Sequence, residues 1–280
     1  MIKFVLLVFF LIKPIIAAEN KFENIKSILK NDGLDALADQ KKTEEEKTKS
    51  ATLQKTIQRY NVPDKNQIWS FISEYWLVRN SPVIRWDFEK PDYGIDSSFA
   101  TFLEKINIPE KKFKILLVNT TAITHFALPS NKDDLLFLLS VPFIKSMDLS
   151  KTEISLLLYE DMLRVQNDYF TEFAKTKELE DLLGSNFHQK KLGKSIIDEV
   201  IKKYDKIIFD KGFSFQQQFQ VTIEMAKILK QDPVLMASYQ KLLEKIRDLI
   251  QSQEEYKLYS KIYPSPEMQL KWILPPKKLL

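Results

Sequence analysis

The chain contains no cysteine. That excludes disulfides, thiolate metal ligands and a lipid-modified cysteine behind an export signal. Only 5 of its 280 residues are glycine, which argues against a fold built on Gly-rich phosphate loops. It has two histidines, His125 and His188, in separate segments. A zinc centre using both would still need nearby carboxylates. No Gly-x-Ser-x-Gly elbow is present, so there is no sign of a serine nucleophile on a strand-to-helix turn. After the first 18 residues no apolar run approaches the ~20 residues that cross a bilayer. Neither sign of charge dominates. The 42 basic and 38 acidic residues leave a net charge of +4 and are well mixed. This describes a solvated surface and excludes a nucleic-acid partner.

What is present is apolar and aromatic. Hydrophobic residues make up 44% of the chain and aromatics 12%, enough for a sizeable core. The N-terminus reads as an export signal over 1–18. Lys3 gives a positive start, Phe4 to Ile12 is unbroken and apolar, and Pro14 ends the run. Ile16-Ala17-Ala18 then offers a small-residue cleavage site before Glu19. Cleavage there yields a soluble product in a periplasm-like space of a Gram-negative-type bacterium, with no membrane span. An uncleaved anchor is the rival reading. Residues 19–62 form a charged helical or flexible lead-in, with the run KKTEEEKTK at 41–49 and helical spacing of Leu53, Ile57 and Tyr60. The turn Asn61-Val62-Pro63-Asp64 marks the boundary of a body over 63–280.

The body reads as α+β and mostly helical, with a small sheet. Ile68 to Leu77 is a helix with an aromatic face. Val83 to Phe88 reads as a short strand, and Ser97 to Ile106 as a helix. Phe113 to Val118 is a strand bounded by Asn119-Thr120-Thr121. A helix over about 150–175 begins with a capping box, Ser150 and Glu153. Further helices are expected at Ile196–Ile208, Ser214–Lys230 and Pro233–Gln251, the last with proline in its first turn. Four prolines between Tyr263 and Leu280 suggest an irregular, wrapping tail. Trp69, Trp76 and Trp86 are expected in the core and not as a sugar platform.

Four short segments occur in an order that resembles the M48 family of zinc metallopeptidases. Thr124-His125-Phe126-Ala127-Leu128-Pro129-Ser130 resembles the family's edge strand beside the active site. Ile154 to Val165 resembles the apolar run into His-Glu-x-x-His, which here reads Tyr159-Glu160-Asp161-Met162-Leu163. Asp232-Pro233 resembles the Asp-Pro that follows the third-ligand helix. Counting back from it puts Phe215 and Phe219 at the Glu-x-x-x-Asp positions, and no acid occurs from Gly212 to Ile223. Tyr263-Pro264, followed by Gln269, stands where the family has His-Pro and an arginine.

The resemblance implies a zincin-like domain whose site has been emptied. The vestigial positions are Tyr159, Glu160, Leu163, Phe215, Phe219, Tyr263 and Gln269. Without ligands no metal and no cofactor are expected. Glu160 alone cannot activate water, because the metal acidifies that water. Tyr, Leu and Phe would then fill the unused pocket. Glu160 and Arg164 are four apart, a helix pair worth about 0.2–0.5 kcal/mol on a surface. The implied function is non-catalytic: a protein or peptide held in the vestigial cleft or along the edge strand, with Phe126, Glu160 and Arg164 as binding candidates. The alternatives are an active metallopeptidase or hydrolase with altered ligands, and an unrelated helical envelope structural protein.

Overall fold

A computed structural model describes residues 41–52, 65–85, 93–131, 134–183 and 193–274. The export-signal reading, most of the lead-in, Trp86, His188 and the last prolines lie outside the described residues. The chain divides into two units, Met1–Val62 and Pro63–Leu280. In the first, residues 41–52 form an exposed helix, α1, whose Thr48 hydroxyl back-bonds to the Glu44 carbonyl at 2.7 Å.

The second unit is mostly helical around a three-stranded mixed sheet. Its strands are β1 (Phe113–Val118), β2 (His125–Pro129) and β3 (Leu135–Ser140), in the spatial order β1-β3-β2. β1 runs parallel to β3, with Phe113 opposite Leu135. β2 runs antiparallel to it, with His125 opposite Leu139. Every residue of β2 and β3 is buried. A strand covered on both faces loses the polar alternation of a half-exposed one, which is why Leu135 to Leu139 is continuously apolar.

The helices are α2 (Lys65–Ile84), α3 (Ile95–Lys105), α4 (Val141–Ser146), α5 (Lys151–Gln166), α6 (Tyr169–Ala174), α7 (Lys177–Leu183) and α8 (Lys194–Lys206). A π-helical turn (Ile207–Lys211) leads to α9 (Phe215–Leu229), α10 (Pro233–Ser252), α11 (Tyr259–Ile262) and α12 (Pro266–Ile273). α5 is central. Both halves of the Ser150–Glu153 capping box form, and Glu153 to Arg164 are buried without a break. A helix enclosed on all sides has no polar stripe. Charged residues within it must therefore find partners in the protein.

Three local expectations need correction. Val83 and Ile84 do not open a strand. They finish α2, with Ile84 fully buried, and the left-handed Arg85 (φ 46) turns the chain away. The helix expected to 175 ends at Gln166, because Asp168 takes φ 57 and α6 restarts after it. The tail is not irregular to its end. Pro266 starts α12 from its first turn, where a missing N–H costs nothing. Among the described residues no helix is long and apolar enough to cross a membrane.

Candidate functional site

α5 carries Glu160, Asp161 and Arg164 into the centre of the domain. All three are buried, at 4%, 1% and 2% exposure. Helix side chains lean toward the N-terminus, so Arg164 reaches back one turn onto both carboxylates. Its Nη1 donates to Asp161 Oδ1 at 2.5 Å, and its Nη2 donates to Glu160 Oε1. Nη2 also donates to Gln218 Oε1 on α9 at 2.8 Å. The guanidinium faces the rings of Tyr263, 4.6 Å away, and Phe213, 5.2 Å away.

The carboxylates are satisfied from other elements. Glu160 Oε1 also accepts from Gln218 Nε2 at 2.6 Å and from Gln269 Nε2 on α12 at 3.2 Å. Its Oε2 accepts from the Tyr239 hydroxyl on α10 at 3.0 Å. Asp161 Oδ2 pairs with His125 Nδ1 on β2 at 2.8 Å. His125 Nε2 meets the Tyr259 hydroxyl at 3.2 Å, and its ring stacks on Tyr263 at 4.3 Å. Gln269 also reaches Thr222 Oγ1 at 3.2 Å. The sheet, α5, α9, α10, α11 and α12 thus meet at one buried ion cluster. The cavity bordered by His125, Tyr259 and Tyr263 holds about 20 Å³, room for little more than one water.

The electrostatics follow from burial and charge. Burial alone would pull the Arg164 pKa down, but Glu160 and Asp161 hold it above the ordinary arginine value. Burial, then Glu160, raises the phenols of Tyr239 and Tyr259, and burial, then Asp161, raises that of Tyr263. Burial also raises Tyr204, and burial followed by Glu224 pushes Tyr159 up to about 12. In each case the folded pKa exceeds the unfolded value near ~10. The native state then keeps protons that the unfolded chain releases, so the stability they supply is complete below about pH 10 and is lost as pH rises through the folded values. We expect the urea midpoint to fall steeply above about pH 10. Phenolate absorbance from these five tyrosines should appear only with unfolding. Full phenolate titration while the circular dichroism stayed native would contradict the burial of these phenols.

The vestigial positions divide into three groups. Glu160, Tyr263 and Gln269 belong to the cluster. Tyr159 and Leu163 are buried but face elsewhere: the Tyr159 ring packs 5.7 Å from Phe102 of α3. Its hydroxyl has no hydrogen-bond partner among the described residues. Losing that hydroxyl therefore removes no bond. Tyr159→Phe should leave stability within about 1 kcal/mol of wild type or raise it. A loss above about 2 kcal/mol in urea unfolding would show that the hydroxyl has a partner.

Phe215 and Phe219 correct the sequence reading outright. They fill no pocket. At 54% and 41% exposure they lie on the surface, edge-on to Trp272 at 4.9 and 5.0 Å. The residues of α9 that face the cluster are Gln218 and Thr222, three positions further along, because the helix presents its inward stripe at 218, 222 and 225. The 160–164 pair is also no surface pair. It lies in the core, where breaking it leaves an uncompensated charge.

Phe126 and the edge strand need a second correction. β2 is an edge strand, but the edge is spent internally. The His125 carbonyl accepts from the Tyr263 hydroxyl, and the Pro129 carbonyl accepts from Ser73 Oγ at 2.7 Å. Phe126 is buried between Phe170 and Phe213. With two outward carbonyls taken and every side chain covered, the strand offers a peptide no continuous edge. Gln218, Tyr239, Tyr259 and His125 were missed as one group. Each stands alone in sequence, and only the pairing of three charges at 160, 161 and 164 with an apolar helix hinted at them.

No family profile and no curated protein matches this sequence. Among solved structures, the crystal structure of S. mikatae Ste24p is similar, with a TM-score of 0.36 and 12% identity over 81% of this chain. The chain spans 62% of the length of that structure. The likeness is too remote to add to the geometry above.

Proposed function

We propose that this chain is an exported, non-catalytic relative of the M48 metallopeptidases that acts by binding a protein or peptide. One observation carries the reading: the guanidinium of Arg164 is clamped by Glu160, Asp161 and Gln218 at a single buried point. Glu160 and Arg164 have the i, i+4 spacing of the two helix histidines. The His-Glu-x-x-His frame then falls one residue later than the sequence suggests, on Glu160-Asp161-Met162-Leu163-Arg164. Gln218 and Thr222 have the spacing of the family's Glu-x-x-x-Asp. In this reading an internal cation stands where a metal ion would, and its counter-charges stand where the ligands would.

Such a centre performs no hydrolysis. In this frame the base position falls on Asp161, whose carboxylate is buried and held by Arg164 and His125, and the cluster is shielded from water. A general base must have a free lone pair within reach of the water it activates. Binding therefore falls to surfaces away from the cluster, since the β2 edge is also occupied.

The register has its own test. A Glu160→His, Arg164→His, Gln218→Glu variant should gain one tightly held zinc, because two imidazoles and a carboxylate would converge on the point now held by Arg164. A Tyr159→His, Leu163→His variant should gain none. The opposite pattern, read by zinc titration of folded protein, would reject the frame.

A further inference from the structure

The surface outside the cluster has one apolar patch with a distinctive make-up. Phe215, Phe219 and Ile223 follow one another at i, i+4 and i+8 along the exposed face of α9. Trp272 of α12 stands between the two phenylalanine rings, nearly perpendicular to both, and Leu274 extends the patch. No acid lies on this stripe. Its only other members are Gln216 and Gln220, then the exposed Lys227 and Lys230, while exposed Lys271 adjoins Trp272. The nearest carboxylate on α9, Glu224, is already held by Asn167 and Gln220.

We propose that this patch docks the domain on an anionic lipid surface, with the aromatic rings in the interface and the lysines at the headgroups. This goes beyond the binding function above, because it says where the domain sits. Two features favour lipid over a second copy. Two phenylalanine rings of the 150–250 Å² aromatic class, about half exposed, and the part-exposed Trp272 offer on the order of 250 Å² in all, well below the ~800 Å² per partner of a stable protein interface. Tryptophan and phenylalanine flanked by lysine and free of acid match the aromatic and basic chemistry of a bilayer boundary.

Tryptophan fluorescence reads the site directly. Trp69 and Trp76 are buried, Trp272 is part-exposed and Trp86 lies outside the described residues, so the quenching assigned to this site is the part that Trp272→Phe removes. Because Phe4–Ile12 would by itself carry the chain to a bilayer, the signal must come from Trp272 and not from sedimentation. Phosphatidylcholine vesicles with about a quarter phosphatidylglycerol and bromine-labelled acyl chains should quench the full chain, and Trp272→Phe should abolish most of that quenching. Phe215→Ser, Phe219→Ser should reduce it about fivefold or more while the far-UV spectrum stays native, since both rings are exposed. Lys227→Glu, Lys230→Glu should weaken it on anionic vesicles and leave neutral ones unchanged. Bound protein with unquenched Trp272 would overturn the proposal. So would Trp272 shielded from acrylamide without vesicles, which would assign the patch to residues 275–280 or to a second copy.

Discussion

Arg164→Met should destabilise the domain by about 3–5 kcal/mol, because it strands two carboxylates in the core. Glu160 and Asp161 lie on adjacent positions of one buried helix and share the Arg164 guanidinium, with Asp161 also paired to His125. Gln218, Gln269 and Tyr239 remain on Glu160 and His125 remains on Asp161, but these hydrogen bonds do not replace the guanidinium that balances two charges removed from water. The triple variant Glu160→Gln, Asp161→Asn, Arg164→Met should recover most of the loss, since a neutral cluster of similar volume has no charge to desolvate. Urea unfolding at neutral pH compares the two. A single variant within about 1 kcal/mol of wild type, or a triple variant no better than the single, would show that the ion cluster is not what holds α5 to α9.

Gly212→Ala should cost at least about 3 kcal/mol through strain and overlap acting together. Gly212 sits at φ 60, ψ −153, a region that residues with a Cβ essentially never occupy. An added Cβ would lie 2.2 Å from both the Cα and the carbonyl oxygen of Ile262. That approach is functional: the next residue, Phe213, donates its N–H to the same Ile262 carbonyl at 2.9 Å. The contact ties the entrance of α9 to the segment carrying Tyr259 and Tyr263, so relief of the clash must disturb the cluster. Loss of near-UV circular dichroism should accompany the loss of stability. An alanine variant within about 1 kcal/mol of wild type would reject this backbone path.

Much of the local structure was legible because its signals are short-range. The Ser150–Glu153 box, Pro233 after Asp232 and the apolar run of β1 each specify themselves within a few residues. The extent of α2 and the helical tail were not. Pro82 and Pro266 punctuate a sequence in more than one way, and burial of Ile84, Leu270 and Ile273 selects among them. The site was legible only in part. Glu160 and Arg164 mark themselves as charges in an apolar helix, but their frame relative to α9 is a matter of which stripe faces inward. Spacing from Asp232-Pro233 pointed to Phe215 and Phe219. Rotation of the helix placed Gln218 and Thr222 there, and that rotation is set by the packing of Val221, Met225 and Leu229. His125 was set aside as a metal ligand, and nothing in its sequence context showed that it bridges β2 to Asp161.

The most direct test of the central claim is the zinc content of purified wild-type protein after loading with excess metal and dialysis. The account predicts no stoichiometric zinc, because Arg164 already occupies the point where Glu160, Asp161 and Gln218 converge. One zinc per chain, removed by a chelator and lost in Glu160→Gln, would contradict it.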